Sequence, residues 1–471
     1  MSANDLPVAV IGAGPIGLAA AAHLVERGIP VSVYEAGQTV GANVRDWAHV
    51  RIFTTWEQSV DTASRRLLES SGWSLPDPNA LPTGEDIYRH YLKPLARHRA
   101  LSPHIHTNAK VVRITRAGAD KMSSKGRDAK PFELRIEGSD GAQQTVLARA
   151  VIDASGTWQN QNPLGGSGLD ADGERRFQDR IAYGMPDVLG AQRARYADKG
   201  IAVVGAGYSA INVLLDLAQL CRNAANTKVT WIVRGKNMSK IYGGGENDQL
   251  PARGKLGSLL RPLVEQGRIT LIRSFHTNAI VQNGVGLTLK GTVDEAAHEI
   301  TGIDEIIACT GQRPDLDMTR ELRLELDPWL EGVKALGPLI DPNLHSCGSV
   351  PPHGHRELSH PEPGFYTIGV KSYGRAPTFL LLTGYEQARS VVAAIAGDLE
   401  AADNVHLVLP ETGICETDFV EDGAGCCGSP APAEASACCG GPAPVEADAC
   451  CVADNVAKLA GKQGCGCGPT A

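Results

Sequence analysis

Two glycine clusters, almost two hundred residues apart, carry the plainest chemistry in this chain. The first, Gly12-Ala13-Gly14-Pro15-Ile16-Gly17, follows the apolar run 8–11 and opens the alanine-rich stretch 18–25. The second, Gly205-Ala206-Gly207-Tyr208-Ser209-Ala210, follows the apolar run 201–204 and precedes the apolar stretch 211–220. Each pattern predicts a strand, a tight turn and a helix. The glycines let the backbone turn sharply and approach a pyrophosphate, which then rests on the amides of the helix N-terminus. One such string is weak evidence, because glycine turns are common. Two in one chain, each with strand before and helix after, are strong evidence for two dinucleotide sites.

The residues that follow separate the two sites. The stretch 31–34 reads as the next strand of the first unit, and Glu35 falls 23 residues after Gly12. A carboxylate there can accept hydrogen bonds from a ribose diol, which favours an unphosphorylated adenosine such as that of FAD or NAD. The contacts expected for the dinucleotide at this first site are Gly12, Gly14, Pro15, Ile16, Gly17, Glu35, Ala36, Val112, Ser155, Gly156 and Gly369. In the second unit the strand 229–233 ends at Arg234, with Lys236 close by. Positive charge suits a 2′-phosphate, so NADPH is expected on Gly205, Gly207, Tyr208, Ser209, Ala210, Arg234 and Lys236. The alternative for Arg234 and Lys236 is a solvated basic loop.

The chain has 471 residues, enough for two or three domains with their own cores. A net charge of -8 argues against a nucleic-acid surface. No apolar stretch reaches transmembrane length; the longest, 8–25, is broken by glycines. The first strand begins almost at once, which leaves no room for a signal peptide. A soluble cytoplasmic protein is therefore expected.

The fold class that follows is α/β, with two Rossmann-like three-layer (ββα) dinucleotide-binding domains. The first dinucleotide-binding domain is split, with residues 1–160 as its first part and 306–400 as its second, around an NADPH domain at 196–305. Strands are expected at 110–116, 132–137 and 145–153, and a strand pair at 279–281 and 286–289. The segment 303–311 should lead back to the first domain, 365–369 should supply its last strand, and 383–396 a helix.

After Pro410 the character changes, and residues 411–471 form a cysteine-rich tail. Nine of the twelve cysteines lie between Cys415 and Cys467. The pairs Cys426-Cys427, Cys438-Cys439 and Cys450-Cys451 recur every 12 residues, and Cys465 and Cys467 close the series. Proline, alanine and glycine dominate, so the tail cannot bury enough apolar area to fold alone. Adjacent cysteines seldom pair with each other. Such thiols suit soft cations: zinc, Cu(I) or arsenic(III). The tail reads as a tethered capture device or as a zinc-folded module.

Taken together, these residues resemble a known family. The two fingerprints, the split domain, Asp153-Ala154-Ser155-Gly156-Thr157 and Cys309-Thr310-Gly311-Gln312-Arg313-Pro314 look like the two-dinucleotide-binding-domain flavoproteins. Gly207-Tyr208-Ser209-Ala210 and Tyr242-Gly243-Gly244-Gly245 resemble the flavin-containing monooxygenases and their bacterial relatives. The paired-cysteine tail is similar to tails in bacterial arsenic-resistance systems. The family's FxGxxxH pattern is not evident; residues 180–187 stand in its place, and the family's tryptophan after the first acidic residue is displaced to Trp47. The resemblance implies an NADPH- and FAD-dependent monooxygenase with molecular oxygen as co-substrate. It would act through a C4a-hydroperoxyflavin on a soft nucleophile, with trivalent arsenic, as arsenite or an organoarsenical, the best fit.

A reductase is the rival, passing electrons to tail dithiols or to a metal(loid) bound there. Reductases of related architecture need a redox cysteine pair beside the flavin. Here no cysteine precedes Cys221 and the body has no CxxC. A metal-binding or sensor protein is a third class, which two intact fingerprints disfavour. No acid–base constellation stands out as catalytic. Asn43, Arg45 and Trp47 follow the ribose strand and could reach the isoalloxazine, or could cap the next segment. Cys347 lies in a candidate pocket loop, whereas Cys309 reads as a small buried hydrophobe. His345, Cys347, His353, His355 and His360 could hold a metal or form a proline-stiffened loop. Residues 243–248 could form a mobile loop over the nicotinamide.

Overall fold

The computed structural model describes residues 5–342, 344, 350–377 and 379–410. The tail cysteines, His345 and Cys347 lie outside the described residues. Two five-stranded parallel sheets organise the rest. In the first the order is Phe365–Thr367, Ala150–Asp153, Val8–Ile11, Val31–Tyr34, Ile105–His106. Val8 pairs with Val31 on one side and Ala150 on the other, and Phe365 pairs with Val151. A strand covered on both faces must be apolar throughout, and Val8–Ile11 is buried at every position. Val8 and Val10 face helix Pro15–Glu26, while Ala9 and Ile11 face a three-stranded antiparallel sheet. Helix, parallel sheet and antiparallel sheet therefore form three layers. Four consecutive alanines, Ala19 to Ala22, let that helix bury all its sides between the sheet and helix Leu381–Ile395.

The antiparallel sheet contains Ala109–Arg116, Phe132–Gly138 and Gln143–Ala148. The single strand expected at 145–153 is thus two. The chain leaves the antiparallel sheet after Ala148 and enters the parallel sheet at Ala150. Beneath this corner lies a cluster of charge. Glu362, 1% exposed, accepts from Arg116 Nε at 2.7 Å and pairs with Arg127 at 3.0 Å. It also receives the Arg323 amide at 3.0 Å. The Arg116 guanidinium covers the Phe132 ring at 3.7 Å. The cluster fastens the polar segment 117–130 to the returning chain before Phe365.

The second sheet repeats the plan, in the order Thr270–Ile272, Lys228–Ile232, Gly200–Val204, Glu305–Ala308, Ile181–Tyr183. Ile201 and Val203 pack toward helix Tyr208–Leu220; Ala202 and Val204 pack toward Phe275–Asn283 and Gly286–Val293. A third antiparallel strand, Ala296–Ile303, extends the expected pair. Its turn uses Asp294 and Glu295, both at positive φ (46° and 69°), the pattern of a type I′ hairpin. The domain limits 196–305 need correction here. Glu305–Ala308 lies in the second sheet between Gly200–Val204 and Ile181–Tyr183, so that sheet draws on residues 181 to 308. An apolar parallel strand has the same composition in either sheet, and only its pairing decides its place.

Two antiparallel segments join the units. Asn162 donates its amide to Gly311 O (3.0 Å), and its side chain receives Arg313 Nε (3.0 Å) and donates to Thr310 O (3.2 Å). No helix among the described residues is long and apolar enough to cross a membrane. Replacing Glu362 by alanine leaves two guanidiniums buried without their carboxylate. The unfolding free energy, read by denaturant titration, should fall by about 3–5 kcal/mol, with Glu362→Gln intermediate.

Candidate functional site

A cavity of about 570 Å³ opens at the C-terminal ends of the first sheet's strands. Its floor is the first glycine turn. Gly12 has φ +91°, and a Cβ there would sit 2.8 Å from Ala154 O. A Cβ on Gly17 would lie 1.9 Å from Gly12 O, so the helix can close onto the turn only without a side chain. Gly14, the N-cap, faces open space, and Pro15 begins the helix. That leaves unobstructed helix amides beside the cavity, the geometry that receives a pyrophosphate.

Glu35 is held from two sides, accepting Ala13 N at 2.7 Å and Gly37 N at 2.8 Å. A carboxylate has lone pairs beyond these two bonds, so it can still receive a ribose diol. Gly12, Gly14, Pro15, Ile16, Glu35, Ala36, Asn43, Trp47, Ser155, Gly156 and Gly369 all line the cavity. Gly17 stands behind it as a packing residue. Val112 is a correction: Lys110 and Val111 line the cavity instead. The pairing register of this strand slips between Val111 and Arg113, so simple alternation does not place Val112. Of the two readings of Arg45, contact with the isoalloxazine or capping of the next segment, the first finds no support in the cavity lining. Arg45 lies over the Tyr88 ring at 5.1 Å and does not line the cavity.

Sequence reasoning missed several lining residues. Lys371, 2% exposed, pairs with Asp153 at 2.7 Å and donates to Ser155 Oγ at 3.0 Å. Gln312 accepts from Thr157 Oγ1 at 3.1 Å, and Trp158 and Gln159 stand on the crossing segment. Only the return of the chain brings 371 and 312 to 155, and no local pattern announces it.

At the second turn Gly205 has φ +136°, and a Cβ there would meet Cys309 O at 2.1 Å. Gly207 is the open N-cap of helix Tyr208–Leu220. Buried Trp231 donates Nε1 to Gly205 O at 2.8 Å and props the turn from below. Ala210 is fully buried in the core, and Tyr208 meets Phe53 of the first unit at 5.2 Å between rings. Arg234 is exposed. Lys236 pairs with Asp294 at 2.8 Å, on the hairpin turn described above. Arg273 follows the adjacent strand and donates to Lys236 O at 3.4 Å, adding a third cation at this edge. The loop 243–248 is pinned. Asp248 and Arg253 form a buried ion pair at 2.8 Å, and Gly257 and Gly254 let helix Pro251–Glu265 meet Tyr242 O and Gly245 O.

Among the described residues the thiols and imidazoles do not assemble. Cys221 and Cys309 are free, and neither lines the cavity. Burial pushes the Cys309 thiol up to about 12, which leaves almost no thiolate at neutral pH. His353 faces Gln387 and Tyr373, His355 pairs with Asp403, and buried His360 sits by Thr367. Burial lowers His360 to about 4. Among the described residues no group of three His, Cys, Asp or Glu could hold a metal ion.

Two outcomes follow from these contacts. Gly17→Ala forces the helix off the turn, and the purified protein should lose its flavin absorbance; retained stoichiometric flavin would contradict the packing. Removing Arg234 and Arg273 together should raise KM for NADPH at least tenfold and leave KM for NADH within about twofold, as expected for lost charge-assisted bonds to one phosphate.

Known proteins bear the same architecture. Residues 9–331 match the family model described as pyridine nucleotide-disulphide oxidoreductase. Human flavin-containing monooxygenase 1 is 24% identical over 246 residues, covering 50% of this chain and 42% of that protein. The chain spans about half the length of the curated relatives it matches, or somewhat less. Bacillithiol disulfide reductase from Bacillus cereus has a TM-score of 0.61 at 19% identity, covering 83% of this chain and 99% of that one. A flavin monooxygenase from Stenotrophomonas maltophilia has a TM-score of 0.54 at 20% identity, covering 83% and 98%. With a family model covering both fingerprints and two sites of this geometry, the chain belongs to the pyridine nucleotide-disulphide oxidoreductase family, with FAD and NADPH as its cofactors.

Proposed function

We propose that this chain is an NADPH- and FAD-dependent monooxygenase that oxidises a soft nucleophile, with trivalent arsenic as the substrate. The observation that carries the first half is the cavity itself: among the described residues no cysteine lines it. A reductase that carried its thiol pair in the body would place it beside the flavin, whereas transfer to oxygen needs none; a reductase using tail dithiols is separated by the tail deletion below. Its curated relatives, named as flavin-containing monooxygenases, support the same choice.

Bound FAD supplies the two-electron chemistry, taking hydride from NADPH and delivering electrons to oxygen. The protein supplies position and shelter. Gly14 and the helix amides would receive the pyrophosphate and Glu35 the ribose, and Trp47, Val370, Phe379 and Leu381 give the cavity apolar walls. The overall reaction balances as As(OH)3 + O2 + NADPH + H+ giving AsO(OH)3 + H2O + NADP+. Arsenic loses two electrons and gains one oxygen atom; the second oxygen leaves as water. An arsenic lone pair attacks an electrophilic oxygen without a general base, in keeping with a site that shows no catalytic triad.

The arsenic assignment rests on the three vicinal cysteine pairs of the tail, whose thiols bind soft trivalent centres. Tethered to the enzyme, they raise the local substrate concentration. Purified enzyme given arsenite and NADPH in air should form arsenate in proportion to NADPH consumed. FAD-loaded protein that yields no arsenic-dependent product would refute the substrate. Deleting residues 415–471 should raise the apparent KM with kcat unchanged, whereas loss of all turnover would mark the tail as a redox arm and favour a reductase.

A further inference from the structure

Four side chains at the cavity rim form a directed relay. Trp158 Nε1 donates to Asp46 Oδ2 at 2.9 Å. Gln159 Nε2 approaches the same oxygen at 3.4 Å and donates to Asn43 Oδ1 at 2.9 Å. The polarity of this chain follows from chemistry. A carboxylate accepts and an indole N–H only donates, so the end of Gln159 beside Asp46 must be its NH2. The second hydrogen of that NH2 points at Asn43, whose facing atom must therefore be its carbonyl oxygen. Asn43 is left with its own NH2 turned away from Gln159. Asn43, Trp158 and Gln159 all line the cavity, and short helix Ala42–Asp46 fixes Asn43 and Asp46 on one rigid turn.

We propose that Gln159 is a positioning residue that locks the Asn43 amide as a hydrogen-bond donor to the cavity. The group bound opposite is then a lone-pair acceptor, either on the flavin ring or on the substrate or oxygen that meets it. This rests on the cavity being the FAD site. Without the relay an asparagine amide can turn over and offer its carbonyl to the same acceptor. Asp46 thus sets, through two amides, the sign of a contact it does not make.

The test uses full-length, FAD-loaded enzyme and three readouts: FAD dissociation constant, the visible flavin spectrum, and hydrogen peroxide released per NADPH in air. Asn43→Asp keeps shape but presents only acceptors. Gln159→Glu removes the donor and should turn the Asn43 amide over. Each should worsen FAD binding or peroxide release by roughly tenfold, and Gln159→Met by about threefold. In an Asn43→Leu background, Gln159→Glu should add less than about twofold, because a positioning residue acts only through its partner. An altered spectrum or FAD affinity places the acceptor on the flavin; altered peroxide release alone places it on substrate or oxygen. The proposal is overturned if Asn43→Asp behaves as wild type, or if Gln159→Glu is as harmful without Asn43 as with it. Wild-type protein that binds no FAD would overturn the cavity assignment, and the relay's role with it.

Discussion

Everything at the first site depends on a backbone contact that leaves no room for a side chain. The Gly17 Cα lies so close to Gly12 O that even a methyl group would sit 1.9 Å from it. Because the contact closes, helix Pro15–Glu26 can dock on the sheet with its N-terminus at the strand ends. Because Gly14 faces open space, the amides there stay available. Glu35 is then fastened to the same turn through Ala13 N, so its carboxylate and the helix N-terminus are held together.

The second turn obeys the same rule with different supports. Gly205 approaches Cys309 O, and Ala210 takes the place of a third glycine. The extra methyl is accommodated in the core, and Trp231 holds the carbonyl of Gly205. Between the units, Asn162 bonds to Thr310, Gly311 and Arg313, so the crossing is stitched by one side chain and its backbone. Ring contact between Phe53 and Tyr208 closes the distance from the other side. Two cofactors in one oxidoreductase need such a fixed approach, since hydride passes only between ring faces in contact.

Features that depend on local backbone demands were legible in the sequence. The glycine spacings, the acidic residue after the second strand and the apolar parallel strands each reflect a steric requirement within about thirty residues. Features that depend on topology were not. Glu305–Ala308 has the composition of a strand of either sheet, and its pairing with Ile201 is what assigns it. Lys371 reads as one more lysine until the returning chain sets it against Asp153. Val112 sits at a slip in strand register that its own sequence does not announce, and of the two readings of Arg45, reaching the flavin ring or capping the next segment, the structure shows it over Tyr88 and away from the cavity lining. The polarity of the Asp46–Gln159–Asn43 relay emerges only when distant Gln159 brings its NH2 between two residues of one short helix.

Transfer of an oxygen atom is the central claim, and isotope labelling tests it most directly. Enzyme supplied with NADPH, arsenite and 18O2 should form arsenate carrying one labelled oxygen for each NADPH consumed. Arsenite-dependent NADPH oxidation that continues under argon, or product without label, would contradict the account and identify a reductase.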